Sequence, residues 1–159
     1  MLLIENDKRG KEYKIQLLYV KEDFYIPENV YIIGMMNTAD RSLAMIDYAL
    51  RRHFSFVEFE PAFETEGFRQ KQNEIANEKF NRLIEQIIEL NKEIAEDVSL
   101  GKGFRIGHSY FIPKNSSNVD DHWLSDVVNY EIIPLLEGYW FDETDKITSW
   151  SRKLQEAIK

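Results

Sequence analysis

The fold of this chain is predicted from one stretch, VYIIGMMNTADRSLAMIDYALRRHF, which covers residues 30–54. Residues 30–36 carry no charge, which is typical of a strand buried on both faces of a parallel sheet. The apolar run ends at Asn37 and is followed by three good helix N-caps, Thr38, Asp40 and Ser42. Apolar side chains then repeat at helical spacing over residues 43–50, so a helix is predicted directly after the strand.

Polar groups just beyond the carboxyl end of a buried strand lie where open α/β sheets bind ligands. Asn37 is the first of them, and a carboxamide there can hold and polarise a water aimed at the terminal phosphate of a nucleotide. The alternative is an asparagine that only satisfies backbone groups of the loop. Arg51 and Arg52 end the predicted helix, where cations suit the negative end of the helix dipole.

The rest of residues 1–61 is predicted to belong to the same sheet. Residues 13–17 alternate apolar and polar side chains, as a half-exposed strand does. Residues 53–60 are rich in phenylalanine and are followed by Pro61, which predicts a second strand that ends there.

The periodicity changes to a helical one in residues 62–159. A long helix is predicted from an apolar stripe, and Gly101 and Gly103 are predicted to break it; the stripe comprises Phe80, Ile84, Ile87, Ile94 and Val98. A second amphipathic helix carries Leu124 to Ile132 and is predicted to stop or kink at Pro134. A terminal helix carries Ile147, Trp150, Leu154 and Ile158, so this half is predicted to be a small helical lobe.

Composition narrows the class of protein. A chain of 159 residues with 43% hydrophobic and 30% charged residues is typical of a globular domain or two small lobes. No apolar run approaches the roughly 20 residues that cross a bilayer, and no signal peptide is visible, so no membrane association is expected. The absence of cysteine excludes disulfides and is compatible with the cytoplasm. A net charge of −8 argues against a stand-alone nucleic-acid binder.

Two separated blocks of sequence carry a resemblance to a known family. The first, GMMNTADRS with DYALRR, covers residues 34–42 and 47–52, and the second, GKGFRIGHSYF, covers residues 101–111. Both resemble the McrB-type GTPases, the AAA+ motor subunits of modified-cytosine restriction systems. The resemblance implies an α/β plus α fold: the C-terminal half of an AAA+ P-loop NTPase core, with parallel-sheet strands in residues 1–61, followed by a helical lid subdomain in residues 62–159.

The resemblance also implies roles for individual residues. Asn37 corresponds to the sensor-1 position, and Arg51 and Arg52 are candidate arginine fingers, one of which reaches the nucleotide of a neighbouring subunit. The family usually has three consecutive arginines here, whereas this chain has His53 as the third, so which of the two is the finger stays open. Asp47 lies four residues before Arg51 and is predicted to orient it.

Four further residues are predicted to contact nucleotide. Thr38, Asp40 and Arg41 follow the sensor-1 position, and Asp40 is predicted to order Arg41 and the loop through charge-assisted hydrogen bonds. Arg105 resembles the sensor-2 position of the lid, where a cation reports on the terminal phosphate, and the alternative is an incidental arginine in a glycine-rich connection. No metal ligand is predicted.

The function that the resemblance implies belongs to a longer protein. That protein would hydrolyse GTP with Mg²⁺ in an AAA+ ring that is a hexamer, translocate DNA and license a McrC-type endonuclease subunit at 5-methylcytosine or other modified sites. The sequence has no GxxxxGK[ST] phosphate loop and no Walker B run, which are expected upstream of Met1. The chain alone is therefore predicted to be catalytically inactive and to bind no cofactor. Two alternatives are another AAA+ ATPase such as a MoxR-like chaperone, and a non-catalytic interaction module.

Overall fold

The computed structural model describes residues 2–37 and 51–159. The chain divides into two compact units, Met1–Glu58 and Phe59–Lys159. No helix in the described ranges has the combination of length and apolar character that crossing a membrane requires.

The first unit consists of short turns and one small hairpin. Single 3-10 turns at Leu2–Ile4, Asn6–Lys8 and Lys11–Tyr13 precede strand β1, Ile15–Gln16. Strand β2, Asp23–Phe24, pairs with β1 in antiparallel orientation, with Ile15 opposite Phe24. The predicted strand over residues 13–17 is therefore present, although only two residues of it form ladder hydrogen bonds.

Arg9 anchors the first unit from the inside. Its guanidinium is buried and donates to three backbone carbonyls: Nη1 to Val30 at 2.8 Å, Nη2 to Ile4 at 2.9 Å and Nε to Glu5 at 3.3 Å. A buried cation is tolerated where its donors are used, and the planar guanidinium can serve several acceptors at once. Arg9 thus fixes the start of the stretch that leads to Asn37.

The predicted buried strand over residues 30–36 is not formed. Residues 31–37 make no strand pairing, and Tyr31, Ile33 and Met35 are 87%, 90% and 98% exposed, whereas Val30, Ile32 and Met36 are 41–42% exposed. Exposure that alternates with a period of two is typical of extended chain with one partly covered side. The prediction of burial on both faces is wrong here, because an interior parallel strand needs a neighbour on each side and the described residues supply only the hairpin.

The second predicted strand is also absent. Residues 54–61 have no regular structure, and Phe56, Val57 and Phe59 are exposed. The predicted helix over residues 43–50 lies outside the described residues. The α/β part of the predicted fold is therefore not confirmed, since β1 and β2 are the strands that the described ranges contain.

The second unit is helical, as predicted. Helix α1, Glu66–Ile75, begins at Thr65, whose hydroxyl accepts from the Phe68 N–H, and ends at Ala76 in the left-handed conformation. Helix α2, Glu78–Glu96, follows at once and begins at Asn77, whose side-chain oxygen accepts from the Phe80 N–H. Both caps satisfy donors that the first helical turn leaves unpaired.

Helix α2 carries the predicted apolar stripe into the core. Phe80, Ile84, Ile87 and Ile94 are each at most 1% exposed, and α2 is the long helix that the sequence predicts. Val98 does not belong to the stripe, because the helix ends at Glu96 and Val98 is fully exposed.

A continuous helical path runs from Asp121 to Tyr139 and passes through the proline. Helix α3, Asp121–Asp126, leads into a π-helical segment, Val127–Ile132, and then into helix α4, Ile133–Tyr139. Of the two predicted outcomes, a stop or a kink at Pro134, the stop does not occur, because the helical path continues to Tyr139. A proline lacks the N–H for an α-helical bond and its ring clashes with the carbonyl four residues back, and the wider i→i+5 turn before it changes the position of that carbonyl.

Helix α5, Thr144–Ala157, closes the lobe as predicted. The Trp150 indole N–H donates to Glu93 of α2 at 3.0 Å, and Arg82 of α2 donates to the carbonyl of Ala157 at 3.2 Å. The core that these helices enclose includes Phe63, Phe68, Phe80, Leu83, Ile84, Ile87, Leu90, Ile94, Ile106, Phe111, Leu124, Val127, Val128, Ile132, Leu136, Trp140, Trp150 and Leu154.

Asp97, directly after α2, joins the end of that helix to α4 and α5. Its Oδ2 accepts from Lys146 Nζ and from the Trp140 indole N–H, both at 2.8 Å. Its Oδ1 accepts from the Ser99 hydroxyl at 2.6 Å and from the Ser99 backbone N–H at 2.8 Å. Hydrogen bonds from Lys146, Ser99 and Trp140 hold the pKa of the Asp97 carboxyl far below its ordinary value.

Lys146 is the cationic partner in this cluster and lies 4.1 Å from the centre of the Trp140 ring. Burial by itself lowers the pKa of Lys146, but the hydrogen bond and charge of Asp97, with Glu143 and Glu93 nearby, raise it above its ordinary value overall. The cluster therefore favours both charged forms at neutral pH.

We predict that Asp97→Asn destabilises the helical unit at pH 7 by about 2 kcal/mol, the size of a lost set of hydrogen bonds to a charged group. The folded-state pKa of Asp97 is depressed, so its contribution is present above the unfolded pKa of about 3.9 and is lost as the pH falls toward the folded value. The difference in unfolding free energy between wild type and variant should shrink below about pH 4. Urea unfolding followed by tryptophan fluorescence measures it, since Trp123, Trp140 and Trp150 all lie in this unit.

Asp121→Asn is the matched control. Asp121 pairs with Lys79 at 2.7 Å on the surface, where its side chain is 73% exposed. Exposed ion pairs contribute little, so this variant should unfold nearly as the wild type does. Equal effects of the two substitutions would contradict the role given to the Asp97 cluster.

Candidate functional site

The predicted site residues are distributed over both units, and each group is described within its own unit. Asn37, Arg51 and Arg52 belong to the first unit and Arg105 to the second. Thr38, Asp40, Arg41 and Asp47 lie outside the described residues, so their predicted roles stay predictions.

Asn37 ends the irregular segment of residues 31–37, and its side chain is exposed. Its backbone follows the extended stretch that Arg9 fixes at Val30. The parallel sheet whose carboxyl edge would carry Asn37 is not present among the described strands. The sensor-1 role of Asn37 therefore stays a prediction from its position in the motif.

The two candidate arginine fingers have different surroundings. Arg51 is exposed, and its guanidinium carbon lies 5.0 Å from the centre of the Phe56 ring, within the range of a cation–π contact. Phe56 is itself about half exposed, so the contact is a surface one and leaves the guanidinium open to solvent.

Arg52 lines an open pocket of about 410 Å³ together with Glu5, Asn6 and His53. The Arg52 Nε donates to His53 Nε2 at 3.5 Å, and His53 Nδ1 lies 3.2 Å from Glu5 Oε1. His53, which occupies the place of a third arginine, thus lies between Glu5 and Arg52 and contacts both.

The donor set in this unit suits phosphate better than metal. Guanidinium groups match the geometry of phosphate oxygens, and Arg51 and Arg52 present two of them in sequence. Within residues 2–37 and 51–159 no group of three or more histidine, aspartate or glutamate side chains could hold a metal ion. The chemistry of the two guanidinium groups is thus that of an anion site.

Arg105 projects from a loop of residues 101–107 between α2 and the later helices. Its Nη2 lies 3.2 Å from Glu60 Oε1, and its Nε donates to the Lys102 carbonyl at 3.0 Å, so its side chain is only 17% exposed. The loop opens at Gly101, whose φ of +80° is strained for other residues, whereas Gly107 has an ordinary extended φ of −73°. Gly101 is therefore the one of these two glycines whose backbone geometry requires glycine.

Asn91 was not predicted as a site residue, yet it holds this loop in place. Asn91 lies on the buried face of α2; its Nδ2 donates to the Ile106 carbonyl at 2.9 Å, and its Oδ1 accepts from the Ile106 N–H at 2.6 Å. The signal in the sequence was a carboxamide between Ile87 and Ile94 on an otherwise apolar stripe. Such a residue is buried only where its polar groups are paired.

His108, which follows the loop, has a structural role in this unit. Its Nδ1 accepts from the Ala62 N–H at 3.1 Å, and its ring packs edge-on to Phe63 and Phe68. The ring nitrogen that a general base would use on this side is occupied by a backbone bond. His108 therefore ties the start of the helical unit to its loop.

Comparisons with known proteins agree with this architecture. A family model described as the McrB α-helical lid domain matches residues 82–148. The chain is also 50% identical over 162 residues to the type IV methyl-directed restriction enzyme EcoKMcrB subunit of Escherichia coli (strain K12), a match that covers 97% of this chain. The chain spans 35% of the length of that relative.

The two matches support different parts of the family assignment. The family model covers α2, the loop with Arg105, the path from α3 to α4 and the start of α5, whereas the relative covers nearly the whole chain, including Asn37, Arg51 and Arg52. The chain therefore belongs to the McrB family, and residues 82–148 are its α-helical lid domain.

Proposed function

We propose that this chain is the C-terminal part of a GTP-hydrolysing AAA+ motor subunit of a restriction system that acts on methylated DNA. The observation that carries the proposal is the 50% identity over 97% of the chain to a methyl-directed restriction enzyme subunit. The lid match supports it independently, because a lid is the part of an AAA+ module that covers bound nucleotide.

In the proposed reaction the residues of this chain position groups and stabilise charge. The Asn37 carboxamide orients the water that attacks the terminal phosphate, which is a positioning role. Arg51 or Arg52 extends to the nucleotide of a neighbouring subunit, where a guanidinium stabilises the charge of the transition state. Bound Mg²⁺ would neutralise phosphate charge.

Arg105 serves as the sensor in the lid. Its guanidinium pairs with the exposed carboxylate of Glu60, and a phosphate oxygen offers the same kind of partner with more negative charge. Exchange of Glu60 for phosphate would therefore report the presence of the terminal phosphate to the lid. Nη2 and Oε1 lie 3.2 Å apart, and the side chain of Glu60 is 61% exposed.

The partners follow from the proposed family role. A hexameric ring of identical subunits completes each active site with an arginine from the next subunit. A McrC-type endonuclease cleaves DNA that carries modified cytosine, and GTP hydrolysis drives movement along it.

We predict that residues 1–159 alone hydrolyse no GTP, whereas the full-length protein does so with Mg²⁺ and prefers GTP to ATP. The physical reason is that this sequence has no phosphate loop to bind the β- and γ-phosphates. Phosphate release from GTP and from ATP, measured for both proteins, checks this. GTP turnover by the chain alone, or ATP as the preferred substrate of the full-length protein, would contradict the proposal.

A second prediction concerns the arginine fingers. In the full-length protein Arg51→Ala or Arg52→Ala should lower GTP turnover on the order of 10³-fold with little change in GTP affinity, since a finger acts on the transition state. Arg69→Ala, which removes an exposed arginine of α1, is the control and should leave turnover unchanged.

Mixing subunits tests whether the finger acts across a boundary. The inactive finger variant is combined with a subunit whose phosphate loop is disabled, so that each supplies what the other lacks. Recovery of part of the turnover is expected for a finger that acts in trans. Normal turnover in both single variants, or no recovery on mixing, would refute the assignment.

A further inference from the structure

We propose that Asn91 is a positioning residue for Arg105: its side chain fixes the backbone of the loop and thereby couples the long lid helix to the sensor of the terminal phosphate. This inference rests on the proposed function, because it gives Arg105 a nucleotide to sense. It adds a residue that neither the motif nor the family match assigns.

The contact between Asn91 and the loop is two-sided and buried. The carboxamide both donates to and accepts from Ile106, at 2.9 and 2.6 Å, and the side chain of Ile106 is 1% exposed. A pair of antiparallel hydrogen bonds fixes the orientation of a peptide as well as its distance. The backbone at Ile106 therefore cannot rotate without breaking two bonds in a site that excludes water.

The fixed backbone of Ile106 also restricts Arg105, the residue before it. Arg105 lies between Ile106 and Phe104, and the Phe104 ring packs edge-on to Tyr139 of α4 at 5.4 Å. With the chain fixed on both sides, the direction in which the Arg105 side chain leaves the backbone is set. An anion that replaces Glu60 at the guanidinium therefore acts on a side chain whose backbone is held by α2.

The same bonds make α2 the element that moves with Arg105. Asn91 lies in the fourth turn of α2, a helix of 19 residues, within its regularly hydrogen-bonded part. A packed helix moves as a rigid body, and the Asp97 cluster attaches its end to α4 and α5. A change at Arg105 would thus be carried into the helical unit through Asn91.

The experiment is a double-mutant cycle in the full-length protein. Asn91→Leu keeps the side-chain volume and suits the apolar face of α2, but it removes both bonds to Ile106. We expect it to lower GTP turnover at saturating GTP by about tenfold, the effect of a lost buried pair on a placed group. In an Arg105→Ala background the same substitution should have no further effect, because its target is absent.

The control separates positioning from simple destabilisation. Asn77 carries a second carboxamide and directly precedes the first residue of α2. It caps that helix, and its Nδ2 donates to the Val119 carbonyl at 3.2 Å. Asn77→Ala should lower the melting temperature as Asn91→Leu does, yet leave GTP turnover at the wild-type level below that temperature. Asn91→Ala serves as a second variant and should match Asn91→Leu in turnover.

Each outcome has a distinct meaning. Full turnover in both Asn91 variants, or a loss that multiplies with that of Arg105→Ala, overturns the positioning role alone. A loss in Asn77→Ala as large as that in Asn91→Leu likewise shows a structural effect and overturns it. If Arg105→Ala itself leaves turnover unchanged, the sensor assignment under the proposed function fails, and the inference fails with it.

Discussion

Burial of one face of α2 is the constraint on which the described structure depends. Phe80, Leu83, Ile84, Ile87 and Leu90 are each at most 1% exposed, and α5 and the helical path from α3 to α4 supply the surfaces that cover them. Each such side chain contributes roughly 1.5–3 kcal/mol on leaving water. Two polar groups of the second unit are attached to this helix: Asn91 lies within its buried face and Asp97 directly follows its last residue.

The helical unit could be predicted from the sequence because its signals are local. An apolar stripe with a period near 3.6 indicates a helix where another surface can cover the stripe. In residues 62–159 the other helices of the same unit supply that surface. Two details of the helical unit could not be predicted from the periodicity. Val98 fits the spacing but follows the end of the helix, and Pro134 is accommodated by a π-helical segment that no propensity scale signals.

The sheet and the site were harder, for a physical reason. A strand is defined by its partners, and the uncharged stretch at residues 30–36 reads as an interior strand only if neighbours flank it. The described residues contain no such neighbours, so the chain is extended and open there. Motif residues such as Arg52 and Arg105 could be found by resemblance. The stripe could show that Asn91 is a buried carboxamide, but its partner could not be predicted, since the bond to Ile106 joins residues 15 apart in the chain.

The π-helical segment determines more than the passage of the chain through Pro134. The buried residues Leu124, Val128, Ile132, Leu136 and Trp140 are spaced four apart, and in a regular α-helix each such step rotates the side chain by about 40°. A wider turn holds more residues and removes part of that rotation, so the later members still point inward. The number of residues in Val127–Ile132, more than their identity, therefore sets the direction in which Trp140 points. That direction places its indole N–H beside the Asp97 carboxylate, directly after the long helix.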